Sequence, residues 1–269
     1  LSNPHYIELI GRAVKVAEAL RGRHDGLTLH ELTEQTGMVK SSVHRILRSF
    51  MHHGYIEQDR GGGAYRLGIQ FLVLAQGLRV RGNLLELARP YSRDLMETFD
   101  ESTYIAVLRD GRGVFVDVQE TRRDLRLVGP LGAEVHFHAT AAGKAIAAFF
   151  PRPRATALLK KLRPRPLTKH TLLNRTQIEQ EWGRVRRMGH AVNDEETIVG
   201  AIFLAAPFFD RTGAVCGSIS VGLPKSRYSP KLGQTIIKQL KGSCCRLSEV
   251  LKAVEYLHEN SFERFGIAS

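Results

Sequence analysis

The sequence predicts an α+β fold in two parts: a small helical region closed by a hairpin, and a larger region with an antiparallel sheet flanked by helices. Three observations predict it. Between Thr28 and His53, two short helical segments are joined by a glycine-containing turn, and a glycine-tipped pair of extended segments follows at once. Beyond residue 100, alternating segments such as TYIAVLRDGRGVFVDVQE, AIFLAAPFFD and AVCGSISVGLP read as strands. Helical segments near 154–162, 176–188 and 230–256 are interleaved with them.

The elements follow in order. Tyr6 to Leu20 reads as a helix with Ile10, Ala13, Val14, Ala17 and Leu20 on one side, and RGRHDG ends it. Thr28 is a good N-cap, and Glu31 three residues later completes a capping box for LHELTEQT. Gly37 suits the position just past that helix. After the turn comes a helix over Lys40–His53, closed by Gly54. Tyr55–Gln58 and Ala64–Leu67 read as strands about a tip at Arg60–Gly63. A hairpin directly after a helix-turn-helix is the wing of a winged-helix domain. IQFLVLAQGLRVRG is helix-like and holds the domain boundary near 80–82. Leu84–Phe99 is amphipathic, with Pro90 starting or kinking part of it. LRLVGPLGAEVHFHAT reads as strand-rich, AAGKAIAAFF as a short helix, AVNDEE as a strand and DRTG as a turn.

The helix over Lys40–His53 has two faces of opposite chemistry. Val43, Ile46, Leu47 and Phe50 stand at i, i+3, i+4 and i+7, an apolar stripe. Ser41, His44, Arg45 and Arg48 repeat that spacing about 200° round the axis. That second face holds hydroxyls, an imidazole and guanidiniums, and no carboxylate. B-DNA's major groove admits one α-helix. Lys40 and Arg48 suit phosphates, Arg45 suits a guanine edge, and Ser41, Ser42 and His44 lie near the amino-terminal end where base contacts fall. Arg60, among three glycines, suits a phosphate backbone or the minor groove. Capping box, turn, acid-free face and wing, in that order, favour DNA binding over a merely solvated helix.

Composition agrees. The net charge of +12 favours an acidic partner. Residues 1–82 hold 11 Lys+Arg against 7 Asp+Glu, and the remainder 28 against 20, so bulk charge does not by itself select the DNA-contacting part. Between Arg152 and Arg187 lie 11 basic residues and two acids, which read first as a solvated helical face. A hydrophobic fraction of 43% supports a buried core rather than a disordered chain. The longest apolar run, AIFLAAPFF, is too short to span a bilayer and contains Pro207. LSNPHYIELIGR lacks the pattern of a secretion signal. Three cysteines without a CxxC suggest neither a disulfide framework nor a zinc finger. A cytoplasmic protein is expected.

Catalytic signatures fail on inspection. AAGKA lacks the upstream glycine and the Ser/Thr of a P-loop. Neither serine of CGSISVG has the flanking glycines of G-x-S-x-G. A hydrolase using Ser220 with His136 or His138 is the strongest enzyme alternative, and a purely architectural DNA binder is a third class. His136 and His138 read as sharing a strand face, and Cys216 would be a third metal ligand, but the spacing is not that of a metal site. No metal, no cofactor and no enzyme activity are expected.

At the level of motifs, RAVKVAEAL, LTLHELTEQTGMVKSSVHRILRSFMHHGYIEQDRGGGAYRLG, HFHATAAGKAIAAFF, RRMGHAVNDEE and LAAPFFDRTGAVCGSISVGLP resemble IclR-family bacterial transcriptional regulators, in order and over nearly the whole chain. The resemblance implies a winged-helix DNA-binding domain over 1–67, a linker helix over 68–82, and an effector-binding domain related to GAF and PAS folds over 83–269. It implies a homodimer or a dimer of dimers on a pseudo-palindromic DNA operator, with the helices near Tyr6–Leu20 and Gly68–Val80 helping to form the dimer. It also implies a pocket for a small effector, an organic or aromatic acid. In that pocket Ala141, Ala142 and Gly143 would present backbone N–H groups at a helix start. The family's acidic pocket position falls on Asn193, a position often held by Cys falls on Phe203, and Ser220 matches a ligand contact with Ser218 two residues before it. The usual SxSGP appears as SVGLP, so Gly222 replaces a serine. His136 and His138 complete the expected lining.

Overall fold

The computed structural model describes residues 7–23, 25–59, 63–76, 84–109, 111–129 and 131–253. The chain divides into two compact units, Leu1–Val80 and Arg81–Ser269, and each builds its own core.

The first unit holds α1 (Glu8–Ala19), α2 (Leu29–Thr36), α3 (Lys40–His52), β1 (Ile56–Gln58), β2 (Tyr65–Leu67) and α4 (Gln70–Gln76). The capping box at α2 is complete: Thr28 Oγ1 accepts from the Glu31 amide, and the Glu31 carboxylate accepts from the Thr28 amide at 2.7 Å. Gly37 ends α2 at φ +65°, a left-handed conformation that glycine adopts without strain. Lys15 on α1 donates to the carbonyl of Thr36 at 2.7 Å, which ties α1 to the end of α2. Val43, Ile46 and Leu47 of α3 then close over Val16, Leu20, Leu32, Ile56 and Tyr65. β1 and β2 are antiparallel, with Ile56 opposite Leu67.

One expectation for this unit is corrected. Of the expected α1 stripe, Leu20 is buried and Ala13 packs against the core, but Ile10 and Val14 stay about half exposed or more, and Val16, outside the stripe, is buried. The helix is apolar on more than one side, so a single-stripe reading caught Ala13 and Leu20 and missed Val16. The wing tip, including Arg60, and residues 77–82 of the expected linker lie outside the described residues.

The second unit holds α5 (Leu84–Phe99), β3 (Ser102–Arg109), β4 (Arg112–Gln119), α6 (Ala141–Ala147), α7 (Arg152–Lys161), α8 (Arg175–Met188), β5 (Ala191–Asp194), β6 (Ala201–Phe209), β7 (Val215–Pro224) and α9 (Pro230–Ala253). The strands form one antiparallel sheet in the order β4-β3-β7-β6-β5. Every residue of β7 is buried, so both faces of the sheet are covered. On one face Ile105, Leu204, Ile219 and Val221 pack with Leu95 of α5 and Ile236, Leu240 and Leu247 of α9. On the other, Ala106, Ala205 and Phe115 pack with α6 and with Ile178, Trp182 and Val185 of α8. The long helix α5 carries Pro90 within it.

The stretch 125–140, expected to be strand-rich, contributes a single isolated bridge, Val114 to Glu134, beside edge strand β4. Gly132 at φ +76° turns the chain there. Three amide bonds connect the stretch to β4: Phe115 N to Ala133 O (3.0 Å), Gly132 N to Phe115 O (2.7 Å) and Val135 N to Gly113 O (2.8 Å). His136 and His138 therefore do not share a strand face. They sit in a turn in which the His136 carbonyl accepts from the amides of Ala139 and Thr140.

The two faces of α3 are expected to respond differently to truncation. Leu47→Ala removes a fully buried side chain and should cost about 2–5 kcal/mol in urea unfolding followed by circular dichroism. Ser41→Ala on the outer face should stay within about 0.5 kcal/mol.

Candidate nucleic-acid interface and ligand cavity

In the first unit, Lys40, Ser41, His44, Arg45 and Arg48 are exposed and Ser42 is half-buried. Three other bases of this unit are used internally. Arg12 pairs with Glu8 at 2.6 Å, Arg66 with Asp59 at 2.9 Å, and Lys15 caps α2. Among the described residues, no carboxylate pairs with Lys40, His44, Arg45 or Arg48. The α3 N-cap, Val39, offers no side-chain acceptor; the Ser42 amide donates to the Val39 carbonyl, and the amides of Lys40 and Ser41 stay open to an anion. This is a cationic helix face held rigidly by its apolar side and left without a counter-charge.

The second unit encloses a cavity of about 330 Å³ between the sheet and the start of α6, a size that suits one small molecule. Tyr104 on β3, Phe115 on β4, Phe203 on β6 and Ser220 on β7 form its sheet side. Thr140, Ala141 and Ala142 form its α6 side, and Val128, His136, Leu167, Asn193, Thr197 and Ile198 contribute from loops and β5. The loop carrying Val128 is strapped down. Tyr104 Oη donates to Leu127 O at 2.7 Å, and Arg227, paired with Glu101, reaches Leu125 O at 3.1 Å. Burial pushes the Tyr104 hydroxyl's pKa upward, so it remains a neutral donor.

The expected effector residues separate into two sets. Ala141, Ala142, His136, Asn193, Phe203 and Ser220 line the cavity. Gly143, Ser218 and His138 are outside its lining and carry structural bonds. Thr140 caps α6 by accepting from the Gly143 amide at 3.0 Å, and a Cβ at Gly143 would lie 2.5 Å from His136 O, so glycine allows the helix to start against that carbonyl. Ser218 donates to Ala142 O at 3.3 Å, tying α6 to β7. His138 is buried with Nε2 3.3 Å from Arg165 O; burial, against that hydrogen bond, holds its pKa below the ordinary value. Cys216 packs in the other core, with α5 and α9. Asn193 lines the cavity, yet its amide oxygen accepts from Glu196 N (2.8 Å) and its nitrogen donates to Thr197 Oγ1 (2.7 Å), so it also shapes the 193–197 turn.

Sequence reasoning missed Tyr104, Phe115, Thr140 and Thr197. Thr140 left a legible signal, a Thr three residues before Gly143 at a helix start; the strand aromatics left none that separates lining from core. It also missed the charge beneath the cavity. Lys144 is 1% exposed and pairs with Glu196, with Glu181 at 3.4 Å and Arg184 beyond it on Glu181 at 2.7 Å. Lys144 lies on α6 and Glu196 in the turn after β5, so the pair joins two walls of the cavity. Burial pushes the Glu196 carboxyl above the usual range against the attraction of Lys144. For Glu181 burial acts in the same direction, but Arg184 and Lys144 outweigh it and hold the group low. In the basic 152–187 segment, Arg154 stacks on Phe150, Arg175 donates to Leu162 O, and Arg186 donates to Ala148 O and Phe150 O.

A helix-turn-helix with a wing in one unit, and a ligand-sized cavity in another, define a sensor-type DNA-binding regulator. Residues 9–60 match the IclR helix-turn-helix domain, and residues 78–249 match the bacterial transcriptional regulator IclR C-terminal domain. The transcriptional repressor IclR of Escherichia coli strain K12 is 27% identical over 241 residues, covering 87% of this chain and 88% of that one. The crystal structure of a putative IclR regulator from Silicibacter sp. TM1040 shares 26% identity, with a TM-score of 0.74 over 93% of this chain and 100% of that one. An IclR homolog from Microbacterium hydrocarbonoxydans, crystallised with 4-hydroxybenzoate, shares the fold at a TM-score of 0.78, 18% identity and coverage of 91% and 100%. The chain belongs to the IclR family of bacterial transcriptional regulators. Among the described residues, no helix is long and apolar enough to cross a membrane.

Lys144→Met should leave Glu196 buried without a partner and destabilise the protein by about 3–5 kcal/mol near neutral pH. A carboxyl whose pKa is raised on folding holds its proton more tightly when folded, so it destabilises the fold as pH rises through the carboxylate range. The variant's melting-temperature deficit should therefore narrow as pH falls into that range; a deficit independent of pH would show that Glu196 does not carry it.

Proposed function

We propose that this chain is a cytoplasmic, effector-controlled regulator in which residues 1–67 read DNA, 68–82 link, and 83–269 sense a small organic or aromatic acid. Two copies place their α3 helices in successive major grooves of a pseudo-palindromic operator. The observation that carries this reading is the exposed face of α3, whose cations meet no carboxylate among the described residues. Lys40 and Arg48 take phosphates, Arg45 takes a base edge with Ser41, Ser42 and His44 beside it, and Arg60 reaches the backbone from the wing. The exposed apolar side chains Leu9, Ile10 and Val14 on α1, and Leu72 and Val73 on α4, support self-association into a dimer or a dimer of dimers.

The second unit supplies the switch. Ala141 and Ala142 open α6 with first-turn amides, and Ser220 adds a hydroxyl, which suits a carboxylate without a charged side chain. The 4-hydroxybenzoate in the Microbacterium homolog supports an aromatic acid as the kind of molecule to try. An effector acts here only through its different affinity for the DNA-competent and incompetent arrangements. The cavity is a binding site and not a catalytic one: turnover of esters or amides that is abolished by Ser220→Ala would overturn that statement.

Fluorescence anisotropy on the promoter-proximal DNA of the chain's own operon tests the reading. Arg45→Ala should cost about 1–3 kcal/mol on the cognate site and relax base preference; equal loss on every sequence would reassign Arg45 to phosphate. Lys40→Ala should reduce the slope of log K against log salt by about one, and an unchanged slope removes its phosphate contact. A thermal-shift screen of acids, followed by operator binding with each hit, tests the switch.

A further inference from the structure

The resemblance marked Phe203 and Gly222 as two separate departures from the family pattern. The structure makes them one feature. They are directly opposed across β6 and β7. A Cβ at Gly222 would lie 2.6 Å from both Cδ1 and Cε1 of Phe203, and 3.0 Å from Cε2 of Tyr104. The Phe203 ring therefore fills the space of the missing side chain at 222. Its bulk is laid along the sheet instead of standing up into the cavity. Tyr104 flanks it at 5.9 Å between centroids, and Phe115 flanks Tyr104 at 6.3 Å.

We propose that Phe203 and Gly222 act as a unit that builds an aromatic platform and selects a flat, single-ring aromatic acid over a saturated ring acid of the same size. The proposal rests on the reading of the cavity as the effector site. Three rings lie on the sheet side, Ala141 and Ala142 of α6 lie on the other, and Val128, Leu167 and Ile198 complete the lining, so an aromatic layer is bounded by an aliphatic rim. A planar ring meets such a layer over its face or edge, whereas a puckered one touches it at fewer points. Ser220 is two residues before Gly222 and faces Tyr104 and Ala205 in the neighbouring strands. It is 2% exposed and lines the cavity, and its hydroxyl makes no side-chain hydrogen bond among the described residues. Its hydroxyl is therefore placed to receive a polar substituent on the ring. Lys144 is outside the lining and already paired with Glu196, so the titratable side chains that face the cavity are Glu134, His136 and Tyr104.

Isothermal calorimetry on the full chain, with benzoate, cyclohexanecarboxylate and butanoate as probes, tests the proposal. Benzoate should bind about three- to tenfold more tightly than cyclohexanecarboxylate. Phe203→Leu should retain binding and bring that ratio close to one. Gly222→Ala should drive the Phe203 ring into the cavity and weaken benzoate at least about tenfold. The double variant Phe203→Leu/Gly222→Ala should recover binding without recovering selectivity. Equal binding of the two ring acids by the unaltered chain overturns the platform, as does selectivity that survives Phe203→Leu. Should Gly222→Ala fail to fold, the Phe203→Leu ratio decides alone. Binding of butanoate or cyclohexanecarboxylate in preference to benzoate overturns the platform and leaves the effector reading intact. Binding of no acid, with operator affinity unchanged by any of them, overturns the effector reading itself.

Discussion

One ammonium group fixes the shape of the sensing unit. Lys144 lies on a seven-residue helix in which every residue is buried, where an unpaired charge would be strongly unfavourable. Glu196 must therefore come to it, and Glu196 sits in the turn that Asn193 and Thr197 build after β5. That single pairing brings α6 and the 193–197 turn to a set distance, and the cavity is the space between them and the sheet. Arg184, through Glu181, extends the same network to α8, so three elements that cover one face of the sheet are joined by charge as well as by packing.

The first unit uses the same kinds of side chain in the opposite way. Its internal bases are paired or capping, and the bases on the outer face of α3 are not. A cation without a counter-charge on a rigid surface loses little when water is exchanged for phosphate. What distinguishes the two situations is the apolar stripe beneath. Val43, Ile46 and Leu47 anchor α3 so firmly that its outer side chains need make no contacts within the protein.

Polar groups near the cavity divide along a related line. The Gly143 amide, the Ser218 hydroxyl and the His138 imidazole are engaged by Thr140, Ala142 and Arg165, and they hold α6 and the loops in place. Ser220, two residues along the same strand face from Ser218, is left open. The difference is position relative to the first turn of α6: Ser218 lies under the helix and meets a carbonyl, while Ser220 lies beyond it and meets the cavity.

The sequence by itself determined the local elements and the chemistry of α3. The capping box, the Gly37 turn, the wing strands and the two faces of α3 are all set by neighbours within a few residues, and periodicity reports them directly. The five sheet strands were legible for the same reason. The tertiary structure decided which apolar side of α1 is buried, because a helix with apolar residues on several sides gives no preference until its partners are in place. It decided that 125–140 is a strap and not a strand, since the turn at Gly132 interrupts the ladder. It alone placed Lys144 against Glu196, 52 residues apart, and Phe203 against Gly222. Contacts between residues far apart in the chain depend on strand register and helix seating, and no local pattern carries that information.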